Sequence, residues 1–200
     1  MYTEIFGIPF FSTKLELKKS NFSLKKEFLS LEKKNKGVVK SNSGGFQSKT
    51  LLWNQEKYLF LRDKLLLEIN NFLKILTVKE PFNIKYYPFW VNINRKDSYN
   101  KWHCHGSHHF SCVYYVSVPK NSSRIVFNTP VLHKKTSEIR YTNNNILSVC
   151  DELYYNVEEG CFLIFPSYLE HMVEPSKTTK PRISIAFNID IEQNYDWHNI

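Results

Sequence analysis

The chain has 200 residues, 42% hydrophobic and 16% aromatic, which suits one domain with a sizeable core and excludes a disordered composition. Its net charge is +8, from 27 Lys and Arg against 19 Asp and Glu, but the lysines are scattered in small clusters such as Lys18-Lys19 and Lys33-Lys34. A solvated helix face explains these, so the charge argues for an acidic substrate rather than nucleic acid. No apolar run approaches the roughly 20 residues that cross a bilayer. Met1 to Phe11 has no basic stretch followed by a long apolar one, so a soluble cytoplasmic protein is expected. The cysteines, Cys104, Cys112, Cys150 and Cys161, form no CxxC pair and read as free thiols.

Weak alternation over residues 2–17 predicts an N-terminal strand broken at Pro9. Phe22 to Lys34 sets Phe22, Leu24, Phe28, Leu29 and Leu31 among lysines, a short amphipathic helix capped by Ser20 or Asn21. Ser41 to Ser48 is a polar loop with two glycines. Gln55 to Leu76 carries Leu59, Leu66, Ile69, Leu73 and Leu76 near helical period, a scaffold helix across a sheet. From about Ile84 the pattern changes to strands: Ile84 to Asn94, Ser111 to Val118, Arg124 to Asn128, Ile146 to Val149, Glu152 to Val157, Cys161 to Phe165 and Arg182 to Ile191. Residues 120–124 and 131–145 read as surface excursions. Short strands between turns argue for an all-β sandwich or barrel.

Chemistry concentrates between Trp102 and Ser117, where His103, His105, His108 and His109 precede an apolar strand. On an extended backbone His103 and His105 point to one face, where two imidazoles can grip iron, zinc, copper or nickel. Alone, the cluster reads equally well as a polar turn. Two downstream elements change the weighing. Gly160 to Pro166 is an apolar strand stopped by proline, and His171 follows five residues later. Arg182 to Ile189 alternates cleanly, with Ile183, Ile185, Phe187 and Ile189 on the core face. Arg182, Ser184, Ala186 and Asn188 fall on the other. An arginine and a serine two apart make a fork plus a hydroxyl suited to a carboxylate.

HxH, a strand with Tyr114-Tyr115-Val116, the run Gly160 to His171 and then Arg182-Ile183-Ser184 with Phe187-Asn188 resemble the Fe(II)/2-oxoglutarate-dependent oxygenases. The likeness is greatest to a small oxygenase family of marine bacteria and their viruses. Ser41 to Ser48 and Trp90 to Asn94 share it, so it covers nearly the whole chain. It implies a mainly β fold, a double-stranded β-helix (jelly roll) with N-terminal helices buttressing the larger sheet. One domain, 1–200, would comprise an N-terminal part, 1–80, and a jelly-roll core, 81–200. Its cofactors would be Fe(II) and 2-oxoglutarate, and its reaction oxidative decarboxylation of 2-oxoglutarate coupled to hydroxylation of a small molecule or peptide.

Carried over by position, His103 and His171 match the iron histidines, and Arg182, assisted by Ser184, matches the anchor of the distal 2-oxoglutarate carboxylate. If the backbone stays extended beyond His103, Tyr115 lies on the same face and becomes a further cosubstrate contact. The superfamily pattern is HxD or HxE, and His105 stands where the carboxylate is usual. Either His105 ligates, or Asp97 or Glu170 supplies a carboxylate, or two histidines hold the iron with His105 behind them. A cupin with Gly160, Pro166 and His171 is the nearest rival, and a non-enzymatic jelly-roll binding protein the next. The cupin reading leaves Arg182 and Ser184 unexplained. The nucleic-acid demethylase branch has a second arginine where this chain has Asn188, which argues against base repair.

Overall fold

The computed structural model describes residues 7–130 and 151–193. After a short strand β1 (Phe11–Lys14) come helix α1 (Lys18–Lys34), the two-residue strands β2 (Asn42–Ser43) and β3 (Phe46–Gln47), and helix α2 (Glu56–Ile75). Nine strands follow: β4 (Asn83–Tyr86), β5 (Trp90–Asn94), β6 (Tyr99–His103), β7 (Phe110–Ser117), β8 (Ile125–Asn128), β9 (Glu152–Tyr155), β10 (Cys161–Pro166), β11 (His171–Val173) and β12 (Arg182–Glu192).

They form two antiparallel sheets. The larger runs β1-β10-β7-β12-β5-β3, with β4 pairing the far end of β12; the smaller runs β2-β6-β11-β8-β9. The period of two along each strand sorts the larger sheet into two buried faces. Cys112, Tyr114, Val116, Phe162, Ile164, Ile183, Ile185, Phe187 and Ile189 pack with Leu24 and Phe28 of α1 and with the buried stripe of α2. On the opposite face Tyr115, Cys161, Leu163 and Phe165 meet Ile125 and Phe127 of the smaller sheet. Two facing sheets buttressed by helices make the double-stranded β-helix expected from the sequence.

Several local readings are corrected. Helix α1 begins at Lys18, and Leu17 caps it without a side-chain bond. Ser20 and Asn21 lie inside the helix because Asn21 is committed elsewhere: it is buried and accepts the Tyr114 hydroxyl at 2.8 Å. In α2 the buried stripe is Tyr58, Leu61, Leu65, Ile69, Phe72 and Leu73, so Leu59, Leu66 and Leu76 are only half-buried. Its two aromatic rings, which counting leucines overlooks, bury more area and set the rotation of the helix. Ile84 to Asn94 splits into β4 and β5 around Pro88, which has no N–H to pair. The N-terminal strand shortens to four residues. Strands β6 and β11 are additions, each ending or starting on a candidate metal ligand. The predicted strand Ile146 to Val149 and the excursion 131–145 lie outside the described residues.

The Ser41–Ser48 segment is more than a connector. β2 pairs β6 of the smaller sheet and β3 pairs β5 of the larger, so the segment ties the two sheets together at the cavity. Gly44 turns between them at φ +66°, and a Cβ on Gly45 would sit 3.0 Å from the Ile93 carbonyl oxygen. A side chain there would press on that carbonyl and push it back by a few tenths of an ångström. Among the described residues, no helix is long and apolar enough to cross a membrane.

Candidate metal centre

His103 ends β6 and His171 begins β11, and the antiparallel register sets them directly opposite each other. Each imidazole is fixed by a carbonyl of its own chain two residues before it: His103 Nδ1 lies 2.7 Å from the Lys101 oxygen and His171 Nδ1 2.9 Å from the Leu169 oxygen. A carbonyl only accepts, so both rings carry the proton on Nδ1 and keep the Nε2 lone pair free to ligate.

His105 arrives by another route. β6 has already ended, and the backbone turns through residues 104–109. Its N–H donates to the Ser167 carbonyl at 2.7 Å, and its ring stacks on Trp90 with centroids 5.5 Å apart at 25°. The in-and-out alternation nevertheless survives the turn, for Trp102 and Cys104 are exposed while His103 and His105 are half-buried. The three rings converge, with centroid separations of 4.3 Å (His103–His171), 5.2 Å (His103–His105) and 5.5 Å (His105–His171). One nitrogen from each lies within 4.8 Å of the others, the single such group of His, Cys, Asp or Glu among the described residues. Asp97 and Glu170, the carboxylates considered from the sequence, are exposed and outside it; Glu170 accepts from Asn128 Nδ2 at 2.8 Å.

Burial, and then the neighbouring His103, pushes the His171 imidazole down to about 3. Burial likewise brings His105 down to about 4, with His103 and His108 adding to it, and lowers His103. All three rings are therefore neutral at pH 7, the state that metal ligation needs.

The opposite wall belongs to the larger sheet. Arg182 is 1% exposed, its guanidinium 4.8 Å from the Tyr115 ring centroid, and its Nε and Nη2 have no hydrogen-bond partner. The Tyr115 hydroxyl, fully buried, also has none. Burial pushes that phenol up to about 12 and lowers the Arg182 guanidinium, so Tyr115 remains a protonated donor. Ser184 pairs Tyr115 on one side and Asn92 on the other, setting the three in a row across the sheet. An unpaired buried guanidinium costs several kcal/mol, about what an anion held by it would recover. The orphaned donors thus fit a carboxylate, and the three neutral imidazoles fit a divalent transition metal.

Both groups line one cleft of about 500 Å³ including its mouth. Tyr115 reaches it differently from the sequence argument: it shares no strand with His103, but faces it from the other sheet after the 104–109 turn. His108 and His109, the other two histidines of the cluster, anchor that turn. Asp190 Oδ1 accepts the His109 N–H at 2.9 Å, and its Oδ2 accepts the Tyr87 hydroxyl at 2.6 Å and lies 3.4 Å from His108 Nδ1. Sequence reasoning also passed over Trp90, Asn92, Asn100 and Ser111 as lining residues, while Asn188 lines the cleft on the Arg182 face where alternation put it. For Trp90 and Asn92 the signal was present, since they alternate with the core residues Val91 and Ile93.

A family profile described as "Putative 2OG-Fe(II) oxygenase" matches residues 88–188, just over half of the chain and the part that holds His103, His105, Tyr115, His171, Arg182 and Ser184. No curated protein matches in sequence. Among solved structures, a Pseudomonas putida prolyl-4-hydroxylase aligns over 92% of both chains with a TM-score of 0.59 and 16% identity. The viral collagen prolyl hydroxylase of Paramecium Bursaria Chlorella virus-1, a 2-oxoglutarate complex, aligns over 92% of this chain and 96% of its own (TM-score 0.58, 12% identity). HygX from Streptomyces hygroscopicus, with nickel and 2-oxoglutarate bound, aligns over 92% and 83% (TM-score 0.61, 14% identity). At such identities these three carry the fold, and the profile carries the family. Histidines that could hold a metal ion face an orphaned guanidinium across one cleft within the matched residues, His105 standing where the family's usual carboxylate would, and the chain belongs to the 2OG-Fe(II) oxygenases, dioxygenases that use Fe(II) and 2-oxoglutarate.

Proposed function

We propose that His103, His105 and His171 hold the Fe(II), and that Arg182, with Ser184 and Tyr115 beside it, holds the distal carboxylate of 2-oxoglutarate in one domain spanning 1–200. The observation that carries this reading is Arg182, a fully buried cation with two unpartnered donors in the cleft that the three histidines share. Iron bound there supplies the redox chemistry that couples decarboxylation of 2-oxoglutarate to oxidation of a second molecule. The chain's own part is to position and to keep water out. Arg182 orients the cosubstrate by a charge-assisted fork, Tyr115 and Ser184 add neutral donors, and Phe165 and Ile125 supply dry wall.

The second molecule is a small molecule or a peptide, and charge counting favours an acidic one. Three neutral imidazoles leave the metal's two positive charges intact and Arg182 adds a third. The 2-oxoglutarate dianion cancels two, and among the described residues no Asp or Glu lines the cleft. One positive charge remains for the substrate to meet. HygX, one of the structural neighbours, has been crystallised with hygromycin B, and a Trichoplax adhaerens prolyl hydroxylase with a peptide fragment.

Succinate formation by purified, iron-loaded protein is the direct test. The wild type consumes 2-oxoglutarate, and Arg182→Ala raises the 2-oxoglutarate requirement by at least about 30-fold, the loss of one buried charge-paired anchor. Wild-type protein that neither binds nor consumes 2-oxoglutarate would falsify the proposal.

A further inference from the structure

One polar cluster in the cleft is left without a task by this reading. On the cavity face of β12, Asn188 lies six residues beyond Arg182, and its Oδ1 accepts the Ser111 hydroxyl at 3.0 Å. Ser111 Oγ lies 2.9 Å from Ser167 Oγ, and all three residues are buried. A hydroxyl carries one proton, so the direction of this chain matters. When Ser167 donates to Ser111 and Ser111 donates to Asn188, every hydroxyl proton has an acceptor. In the reverse direction the Ser167 proton is stranded in a fully buried place, at a cost of about 1–3 kcal/mol. The forward direction wins. It leaves both protons on Asn188 Nδ2 unused by any hydrogen bond among the described residues.

We propose that Asn188 is a substrate-binding residue, its amide donating to a carboxylate or carbonyl oxygen of the molecule that is oxidised. Six residues of strand span roughly 20 Å at about 3.3 Å each, with side chains standing off the sheet rather than along it. A five-carbon diacid anchored on Arg182 is much shorter, so Asn188 serves the second ligand. Position agrees: the Ser167 carbonyl that takes the His105 N–H at 2.7 Å belongs to the same residue that starts the hydroxyl chain. The free amide thus lies on the His105 side of the centre, six residues along β12 from the Arg182 anchor. Chemistry agrees too, because two amide protons and no lining carboxylate among the described residues select an acceptor over an ammonium group. The inference rests on the proposed roles of Arg182 and His105.

The test uses nitrogen-15-labelled full-length protein loaded with Zn(II) and 2-oxoglutarate, with the Asn188 side-chain signal identified by its loss in Asn188→Ala. The probes are acetate, dimethylacetamide and methylammonium, each taken to about 100 mM, where a millimolar site is saturated. The Asn188 amide signal is expected to shift saturably with an acceptor probe and not with methylammonium. A response to acetate alone assigns an acidic small molecule, and one to dimethylacetamide a peptide-like carbonyl. Asn188→Asp keeps the acceptor for Ser111 but replaces the donors with a charge, so the backbone signal of residue 188 no longer responds to either. The 2-oxoglutarate affinity of Asn188→Ala stays within about tenfold of wild type, less than one lost charged contact. Silence with both acceptors, or a tenfold or greater loss of 2-oxoglutarate affinity, overturns the inference, the latter by assigning Asn188 to the cosubstrate. Unchanged 2-oxoglutarate affinity in Arg182→Ala overturns the proposed function instead.

Discussion

The two halves of the candidate metal centre are held by different physics. His103 and His171 face each other across a β-ladder, and a carbonyl two residues earlier fixes the tautomer of each ring. His105 has neither support. It sits on a turn, with no hydrogen bond to either ring nitrogen among the described residues, and owes its orientation to the Trp90 face and to an anchored loop. A ladder position is set by many cooperative backbone bonds, whereas a turn position is set by a few side-chain contacts. The first pair is therefore the rigid platform, and His105 the member whose placement the surrounding residues tune.

The contrast can be broken by mutation. The largest effect is expected from His171→Ala, which removes a buried ladder ligand: metal affinity, measured by competition with a chelator, falls at least about 100-fold and turnover is lost. His105→Ala costs about tenfold in the same assay and leaves a two-histidine platform. Equal losses in the two variants would show that ladder and turn ligands are equivalent.

Acid acts next, on platform and turn alike. Depressed pKa values in the folded state mean that the unfolded chain binds protons more readily, so this contribution is present above about pH 6.5 and is lost as pH falls towards the folded values. The thermal midpoint of the metal-free protein should drop from pH 7 to pH 5, at up to about 1.4 kcal/mol per pH unit for His171. His171→Ala should flatten that slope, and an unchanged slope would remove His171 as its source.

Smaller effects probe the turn. Trp90→Ala removes a ring stack of about 0.5–1.5 kcal/mol and should weaken metal binding roughly 3- to 10-fold, with no further loss in a His105→Ala background. Asp190→Ala releases Tyr87 and the His109 N–H and should cost about threefold, again only while His105 is present. Additive losses in either double variant would mean that Trp90 or Asp190 acts on the fold rather than through His105.

Much of this was legible because it is local and periodic. Alternation along Arg182 to Ile189 assigned both faces of β12 correctly, and His103, His105, His171 and Arg182, singled out in the sequence, line one cleft. Period is a property of consecutive residues, so it survives without a partner strand. Helix rotation was read less well, since Tyr58 and Phe72 take the buried stripe of α2 through their fit to the sheet.

Tertiary structure alone decided the rest. Opposition of His103 and His171 comes from a register between strands 68 residues apart in sequence. No spacing rule shows that Tyr115 faces His103 from another sheet, that Asp190 ties down the HxH turn, or that Ser167 and Ser111 orient Asn188. The chain itself determined which side chains could do the chemistry and which face of each strand bears them. Pairing between distant strands, set by the shared burial of both sheet faces, determined which of those faces meet.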